Sequence, residues 1–367
     1  MVALDPLRLD PQRLVALGGG HGLAASLLAL RHLTPELTAV VTVADDGGSS
    51  GRLRGEMGIL PPGDLRMALA ALCDDTPRGR AWHDLLQHRF TSRGELDAHS
   101  LGNLVLAGAW AQTGSVVAGL DLLADLVGAR GRVLPMAAEP LVIEADVVRT
   151  GQPDLVVRGQ SRVAVTSGRV SRVRLLPEDP EMCPETLAAI RAADWVVLGP
   201  GSWYTSVLPH LQVAPLRAAL HDAAHLALTL NLQQQEGETD GFTAADHVRV
   251  LRDVDPDLRL DVVIADPAWV DDVTALEQVA DELGARLLLR QVRADDGTPR
   301  HDPMRLAAAY RDAFAGTWGD VGPEAEAQLS IDPARAGAAG ASAVTGAGAS
   351  PAAPVHAHPG SPARDRG

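Results

Sequence analysis

The sequence predicts an α/β fold with a mostly parallel sheet, helices that cover it and a small antiparallel β insertion. Three observations indicate this class. Short apolar runs alternate with helical patterns along most of the chain. The first run breaks into glycines and resumes as a helix, which is typical of a strand, a tight turn and a helix. Between about residues 132 and 176 apolar and polar residues alternate, as expected of antiparallel strands.

The composition excludes several classes of protein. The 367 residues are 46% hydrophobic, which is enough for one large α/β domain or two smaller ones. A formal charge of -15 argues against a general affinity for nucleic acid. No apolar run reaches the roughly 20 residues that span a bilayer, and residues 1–13 do not resemble a secretory signal. We therefore expect a cytoplasmic protein without membrane insertion.

Two residue types narrow the chemistry further. The chain contains no lysine, which excludes a Walker-type phosphate lysine, a Schiff base and a covalent lysyl-nucleotide. The two cysteines, Cys73 and Cys183, lie far apart and belong to no C-x-x-C pair. We expect two buried thiols, and neither a zinc site nor a disulfide framework.

The first element is a predicted strand that begins at Leu14 and runs into Gly18, Gly19 and Gly20. A helix with apolar positions at 23, 27 and 30 follows. Glycines let backbone N–H groups point at one spot, and the helix adds its positive end, so this turn is a candidate phosphate site. It is not the dinucleotide fingerprint G-x-G-x-x-G, because Leu23 stands at the sixth position. A plain tight turn is the alternative.

The second strand, residues 37–43, runs into Asp45, Asp46 and a polar, glycine-rich loop that extends to Arg52. An acid at the tip of the second strand of a βαβ unit lies where a ribose diol binds when phosphates occupy the first turn. The alternative is a solvated turn acid beside a helix cap.

A Pro-Pro-Gly stop at residues 61–63 starts the next predicted helix, whose apolar face is at positions 65, 69 and 72. Asp64 is suited to be the N-cap residue or an acid in the first turn of this helix, and a role in binding a ligand is an equally open alternative. Arg66 could reach a phosphate or carboxylate bidentately. A surface ion pair is the alternative for Arg66.

Residues 80–90 are predicted to be helical, and a second helix is predicted within residues 96–114. Polar residues stand at the N-terminus of this second helix. His99 and Ser100 precede this helix and Asn103 lies in its first turn, so anions could be held there. Plain capping by Ser100 is the alternative. The chain has no G-x-S-x-G elbow, which argues against a Ser-His hydrolase.

The alternating region predicts short strands at 141–148, 155–157, 162–165 and 170–175, separated by turn residues. We expect a small antiparallel sheet that carries no chemistry.

Regular α/β alternation then resumes with a helix at 184–193 and a buried strand at 195–198. A loop follows this strand. Gly199 and Gly201 leave its backbone unobstructed, and its hydroxyl groups belong to Ser202, Thr205 and Ser206. The carboxyl end of a buried parallel strand is where open α/β sheets bind ligands.

Three more strands (226–232, 260–265 and 285–292) and a helix (303–314) complete the predicted domain, residues 12–320. Thr243 is predicted as a helix N-cap, and the Thr239-Asp240 pair is either turn chemistry or a ligand contact. Residues 325–367 are rich in Ala, Gly, Pro and Ser and predict a disordered tail.

Six motifs occur in one order along the chain: Gly18-Gly19-Gly20-His21-Gly22-Leu23, the segment 42–54, Pro61-Pro62-Gly63-Asp64-Leu65-Arg66, His99-Ser100-Leu101-Gly102-Asn103-Leu104, Gly199-Pro200-Gly201-Ser202 with the segment 205–209, and Gly237-Glu238-Thr239-Asp240-Gly241. Together they resemble the gluconeogenesis factor family of the YvcK type, a branch of the CofD-like 2-phospho-L-lactate transferase superfamily. The similarity covers roughly residues 12–315, and the combination is far more specific than any single motif.

The resemblance implies a Rossmann-like core with helices on both faces and a cytoplasmic protein needed for cell shape and wall growth on gluconeogenic carbon sources. It also implies binding of UDP-sugars such as UDP-N-acetylglucosamine, with no established reaction, no assigned catalytic residue and no metal ligand. Matching positions in the loops give these binding candidates: Gly18, Gly19, Gly20, His21, Asp45, Asp46, Gly48, Ser49, Asp64, Arg66, His99, Asn103, Gly199, Gly201, Ser202 and Thr205.

Three residues depart from the family pattern. His21 stands where threonine is common, Met67 where asparagine is common, and Gln234 where threonine is frequent. The first two positions could change how a phosphate or a base is held, so they bear on ligand specificity and leave the fold intact.

Two hypotheses follow. In the first, the chain is a regulatory protein that binds a nucleotide sugar. Gly18 to Gly20 would bind the pyrophosphate, Asp45 would bind the ribose, and Arg66 would neutralise the charge of the phosphates. In the second, it is a magnesium-dependent transferase in which Asp45, Asp46 or Asp64 holds the cation or deprotonates an acceptor hydroxyl. Self-association into a homo-oligomer stays open under both.

Overall fold

The computed structural model describes residues 12–149, 153–163, 166, 169–235 and 237–316 of the 367-residue chain. The predicted tail at 325–367 lies outside the described residues. Among those described, no helix has the length and apolar character needed to cross a membrane. Cys73 and Cys183 are both buried free thiols, as expected.

The main sheet has seven strands, and every neighbouring pair in it is parallel. In spatial order they are β3 (Arg132–Pro135), β2 (Leu37–Val41), β1 (Leu14–Gly18), β7 (Trp195–Leu198), β8 (Leu226–Thr229), β9 (Val262–Ala265) and β10 (Arg286–Leu289). The central strands are buried over their whole length, as continuous apolar runs in a parallel sheet should be.

The helices that surround the sheets are, in chain order, α1 (Gly20–Leu30), α2 (Gly48–Met57), α3 (Pro62–Leu72), α4 (Pro77–Gln87), α5 (Leu101–Thr113), α6 (Val116–Val127), α7 (Gln160–Val163), α8 (Pro184–Ala192), α9 (Pro209–Gln212), α10 (Ala214–His221), α11 (Ala244–Val254), α12 (Val273–Glu282) and α13 (Pro303–Phe314). The apolar faces predicted for α1 and α3 are buried in the core.

Strand order reverses between β1 and β7. The chain moves outward from β1 through β2 to β3, then returns to β7 beside β1 and moves outward the other way. Right-handed connections that leave in opposite directions place their helices on opposite faces of the sheet. The reversal also opens a crevice at the carboxyl ends of β1 and β7, where doubly wound sheets bind ligands.

The β insertion is confirmed as an antiparallel sheet in the order β5 (Leu155–Arg158), β4 (Val142–Val148) and β6 (Arg169–Leu176). Its predicted bounds are wrong at two points. Residues 132–135 form β3 of the main sheet, so the insertion begins after them. Residues 160–163 form the short helix α7 instead of a strand, and residues 164–165 lie outside the described part of the chain.

The polar, glycine-rich segment after Asp46 is a helix, not the expected loop. Helix α2 begins at Gly48 (φ +47°) and buries Ser49, Ser50 and Leu53. Three glycines and two serines are weak helix formers, so propensity alone favoured a loop. The contacts of the buried face with the rest of the fold override that preference.

Helix α13 is fixed to the sheet by buried hydroxyls. Tyr310 Oη lies 2.8 Å from Ser26 Oγ on α1 and 2.9 Å from Thr229 Oγ1 at the end of β8. Ser26 Oγ also lies 2.9 Å from the Gly199 carbonyl oxygen, to which it donates. These bonds hold the loop after β7 against α1, at the crevice.

Candidate functional site

The turn between β1 and α1 is shaped by a lack of space for side chains. A β-carbon on Gly19 would lie 2.4 Å from Thr42 Oγ1 and 2.6 Å from Asp64 Oδ2. Gly20 has a φ of +56°, which glycine adopts readily. Gly19 is extended and acts as the N-cap residue of α1. The turn therefore brings bare backbone, the Thr42 hydroxyl and the Asp64 carboxylate to one place.

Asp64 occupies the first turn of α3, as predicted, and its carboxylate accepts a hydrogen bond from Thr42 Oγ1 at 3.3 Å. Burial raises the pKa of this carboxyl to about 7, and the nearby charge of Asp45 adds to the rise. Contacts from the Thr42 hydroxyl and the Gly20 amide oppose it. Near neutral pH, Asp64 is therefore poised between its acid and its anion.

The adjacent acids Asp45 and Asp46 face different partners. Asp45 Oδ1 accepts a hydrogen bond from the Gly47 amide at 2.9 Å, and its Oδ2 lies 2.9 Å from where a β-carbon on Gly63 would stand. Asp46 Oδ1 accepts from the Ser161 amide at 2.9 Å, at the start of α7 in the insertion. Asp45 thus belongs to the cluster around Asp64, whereas Asp46 holds the insertion.

A buried polar network joins the candidates on α2 and α5. Ser49 Oγ accepts from the Ser100 amide at 3.2 Å and from Asn103 Nδ2 at 3.0 Å, and it lies 2.9 Å from His99 Nδ1. Because two donors already point at this hydroxyl, its own proton is directed to Nδ1, and the neutral His99 ring carries its hydrogen on Nε2. Burial lowers the pKa of His99, and Arg52 adds to the effect.

Arg66 is 4% exposed and is not the surface ion-pair residue offered as an alternative. Its Nε donates to Asn103 Oδ1 at 3.0 Å and its Nη1 to the Leu86 carbonyl and to the Gln87 side chain. Burial lowers the pKa of Arg66 to about 10, so it stays charged. The guanidinium ties α3 to α4 and α5.

Ser100 is the N-cap residue of α5, but its hydroxyl does not cap the helix. Ser100 Oγ donates to the Leu86 carbonyl at 3.2 Å instead. The capping alternative for this side chain is therefore wrong.

The loop after β7 meets the first turn directly. A β-carbon on Gly22 would lie 2.2 Å from the Pro200 carbonyl oxygen. Gly199 (φ +69°) and Gly201 (φ +150°) have conformations that favour glycine. The Asn231 amide brackets Gly201: Gly201 N donates to Oδ1 at 2.9 Å, and Nδ2 donates to the Gly201 carbonyl at 2.8 Å.

Ser202 and Thr205 bind within the protein. Ser202 Oγ accepts from the Thr205 amide at 3.2 Å and lies 2.7 Å from each carboxylate oxygen of Glu238, to one of which it donates. Burial raises the pKa of Glu238. These groups shape the π-helical turn Trp203–Val207, which the sequence did not predict. Ser206 on this turn places its Oγ 3.1 Å from the position of a β-carbon on Gly19.

A cavity of about 660 Å³ lies at the point where the strand order reverses. Residues that follow β1, β7 and β8 line it, together with α3, α4 and the segment 294–303. Among those that line it are His21, Gly22, Met67, Gln87, Gly201, Asn231, Gln233, Gln235, Arg300 and His301. Neutral amides and histidines dominate this polar lining. Burial lowers the pKa of His301 to about 4, and its Nε2 has no hydrogen-bond partner among the described residues.

Eight of the predicted site residues form two adjoining groups. His21 and Gly201 line the cavity; Asp45, Asp64, Ser49, His99, Asn103 and Arg66 form a polar cluster beside the first turn. Gln87 connects the groups, because it lines the cavity and accepts from Arg66. Of the family departures, His21 and Met67 line the cavity, whereas Gln234 accepts a hydrogen bond from the Gly241 amide.

Sequence reasoning missed four contributors: Thr42, Asn231, Glu238 and the role of Gln87. Thr42 and Asn231 each follow a buried strand at its carboxyl end, which was a usable signal. Glu238 lies in the Gly237–Gly241 motif but was given no role there, and nothing in the local pattern marked Gln87.

Within the described ranges, no group of three or more His, Cys, Asp or Glu side chains is arranged to hold a metal ion. Asp45 and Asp64 supply two carboxylates near enough that the charge of Asp45 raises the pKa of Asp64. Magnesium in nucleotide sites is commonly held by one or two carboxylates together with the phosphates, so this pair fits a cation that arrives with a ligand.

The chain matches the family model described as 2-phospho-L-lactate transferase CofD over residues 14–297. A Mycobacterium tuberculosis protein provisionally named a gluconeogenesis factor is 52% identical over 302 residues, which cover 80% of this chain and 88% of that protein. The gluconeogenesis factor of Bacillus subtilis is 43% identical over 240 residues, covering 65% and 74%.

The fold also matches a solved structure. A crystal structure of a member of the UPF0052 family from Bacillus halodurans superposes with a TM-score of 0.73 at 35% identity. The match covers 82% of this chain and 99% of that one.

Proposed function

Because this chain belongs to the gluconeogenesis factor branch of the CofD family, we propose that it binds a nucleotide sugar of the UDP-N-acetylglucosamine class in the crevice at the carboxyl ends of β1, β7 and β8. The observation that carries this proposal is the cavity of about 660 Å³ at the strand-order reversal, beside a turn that admits no side chain at Gly19. Ligand pockets of this size hold molecules as large as nucleotides. We also propose a cytoplasmic role in cell shape and wall growth on gluconeogenic carbon sources.

The lining of the cavity suits the neutral parts of such a ligand. The Gln233 side chain offers a donor and an acceptor, and the Gln235 side chain offers its NH2 group, which match sugar hydroxyls and base edges. The Asn231 amide and the side-chain carbonyl of Gln235 are already bonded within the protein. The proposed position of the pyrophosphate is the first turn, where the amides at the start of α1 and the positive end of that helix favour an anion.

Asp64 sets a condition on this placement. Its carboxylate lies against Gly19, so an ionised Asp64 would repel the phosphates. A proton on Asp64, which its pKa of about 7 makes accessible, removes the repulsion. A magnesium ion shared by Asp64, Asp45 and the phosphates would do the same.

A second candidate function is supported by Asp64 itself. A buried carboxyl with a pKa of about 7 is suited to take a proton from an acceptor hydroxyl near neutral pH. In that case the chain is a magnesium-dependent transferase that acts on a nucleotide-activated donor, with Asp64 as the general base.

One experiment separates the two functions. The purified protein is incubated with UDP-N-acetylglucosamine, UDP-glucose, NAD and GDP, with and without magnesium, while thermal shift and nucleotide turnover are measured. Saturable stabilisation by a UDP-sugar without turnover supports the binder. Magnesium-dependent consumption of a nucleotide supports the transferase. Absence of both effects with every nucleotide contradicts both proposals.

A further inference from the structure

A second cavity, of about 810 Å³, lies where β6 of the insertion faces the π-helical turn, α9, α10 and α11. It shares no lining residue with the first cavity. Part of its wall is apolar and aromatic, with Tyr204, Phe242 and Leu211 among the residues that line it. The Gln212 side chain donates to the Val173 carbonyl at 3.0 Å and holds β6 in place along this wall.

Some of the charged side chains on this wall have ion-pair partners and others do not. Arg174 pairs with Glu144 at 2.9 Å and with Asp146, and Asp253 pairs with Arg252 at 2.7 Å. Within the described part of the chain, the side chains of Arg172 and Arg217 have no hydrogen bond and no close ion pair, although Arg172 stands opposite Asp146 on β4 and its charge helps to lower the pKa of that carboxyl. Of the two carboxylates on the wall, Asp253 is paired and Glu178 is not, within the same described residues. The lining contains three arginines and two carboxylates, so it is net positive in a chain whose formal charge is -15.

Arg172 and Arg217, which have no close ion pair among the described residues, indicate the class of ligand. A guanidinium binds phosphate oxygens through a planar pair of N–H donors, and a phosphate monoester carries close to two negative charges at pH 7. Two guanidiniums match that charge. The aromatic rings of Tyr204 and Phe242 add surface for an apolar or ring-shaped portion of the same molecule.

We propose that this second cavity binds a small organic phosphate, a monoester with an apolar or aromatic portion, at a site separate from the nucleotide-sugar crevice. Arg172 and Arg217 hold the phosphate, and Tyr204 with Phe242 contact the organic portion. Tyr204 lies on the π-helical turn whose Ser206 approaches Gly19. A ligand in the second cavity therefore contacts the turn that borders the first site.

Phenyl phosphate is the probe, titrated into the full chain by isothermal calorimetry, with inorganic phosphate and phenol as matched partial ligands. We expect saturable binding of phenyl phosphate at one site, at least tenfold tighter than either partial ligand. Arg172→Ala and Arg217→Ala should each weaken binding about tenfold or more, because each removes a charge-assisted contact. Arg191→Ala, an exposed arginine on α8, is the matched control and should change nothing.

A competition arm keeps this proposal separate from the nucleotide-sugar site. Saturating UDP-N-acetylglucosamine should not displace phenyl phosphate, whether or not it binds in the first cavity. Displacement, undiminished binding in both arginine variants, or no saturable binding at all would each overturn the proposal. Circular dichroism checks that the variants fold; if either alanine variant does not, Arg172→Gln and Arg217→Gln replace them with the same expectation.

Discussion

Gly19 is extended, with a φ of -158°, so its backbone suits any residue and its need for glycine comes from space alone. The side chains of Thr42 and Asp64 fill the volume where a β-carbon would stand. Gly20 differs, because its φ of +56° is the constraint and little lies near it. The first turn is thus specified twice, once by packing and once by backbone conformation.

Gly19→Ala should lower the free energy of unfolding by about 1–3 kcal/mol, since overpacking forces Thr42 and Asp64 apart. Gly108→Ala is the matched control: it lies within α5 with no neighbouring atom within 4 Å of its β-carbon position, and alanine favours a helix. Urea denaturation followed by circular dichroism measures both. Equal stability of the Gly19 variant and the wild type would show that the turn is looser than described.

Asp64 makes a second prediction at this scale. Its pKa is raised in the folded state, so the folded protein binds more protons than the unfolded chain between about pH 4 and 7. Its contribution to the free energy of unfolding is therefore largest at low pH and falls as pH rises towards 7. Asp64→Asn should remove this fall, which amounts to a few kcal/mol at most.

Denaturation curves at pH 5 and pH 8 test this for the wild type, Asp64→Asn and the exposed control Asp257→Asn. The difference between the two pH values should shrink in the Asp64 variant and stay at the wild-type value in the control. An unchanged difference in Asp64→Asn would mean that this carboxyl titrates as an ordinary surface acid.

At the level of elements, helix α2 and the insertion show how the acidic segment is organised. The Asp46 carboxylate accepts a hydrogen bond from the Ser161 amide and so joins the acidic segment to the insertion. Gly159 lies so close that a β-carbon there would stand 2.1 Å from Asp46 Oδ2. Arg54, near the end of α2, donates to the Leu141 carbonyl at 2.7 Å. The insertion, expected to carry no chemistry, is thus fastened to the segment that carries Asp45.

Asp46→Ala should release the start of α7. We expect hydrogen exchange at residues 159–163 to become about tenfold faster or more, because the variant loses a hydrogen bond to a charged group. Exchange in β1 and β7 should not change. Mass spectrometry of peptides from these segments, with Asp257→Ala as control, gives the comparison; identical exchange at 159–163 would show that Asp46 does not hold the insertion.

The sequence predicted elements well wherever hydrophobic periodicity was strong. Apolar runs correctly predicted the positions of strands β1, β7 and β9. Proline residues at the first helical turn correctly predicted where helices α3 and α13 begin. It failed at α2, whose glycines and serines are helical only because tertiary contacts bury one face. It also assigned β3 to the insertion, since a four-residue strand carries too little pattern to reveal its sheet.

The sequence predicted which loops carry the candidate site residues, but it did not predict which side chains those residues contact. Asp45 and Ser49 come from one stretch and Asp64 and His99 from two others, and the fold brings the three stretches together beside the first turn. Arg66 was expected to face a ligand; its donors instead reach Asn103, Leu86 and Gln87, partners at least 20 residues away in sequence. Such long-range pairings leave no trace in local spacing.

At the scale of the whole molecule, strand order decides where the first cavity opens. The seven-stranded sheet reverses direction between β1 and β7, and the first cavity opens at that point. The second cavity lies beside the π-helical turn, against β6 of the insertion. On both proposals, a chain of strongly negative formal charge would meet a phosphate-bearing ligand through a helix end, backbone amides and two arginines.

The most direct test of the nucleotide-sugar crevice is calorimetric titration of UDP-N-acetylglucosamine into the wild type and Ala25→Trp, whose indole would fill the cavity from α1. Ala111→Trp, at an exposed position on α5, is the control for a bulky helix substitution. We predict that Ala25→Trp loses at least tenfold in affinity while Ala111→Trp binds like the wild type. Full affinity in a folded Ala25→Trp variant would contradict the account, because the ligand would then bind elsewhere.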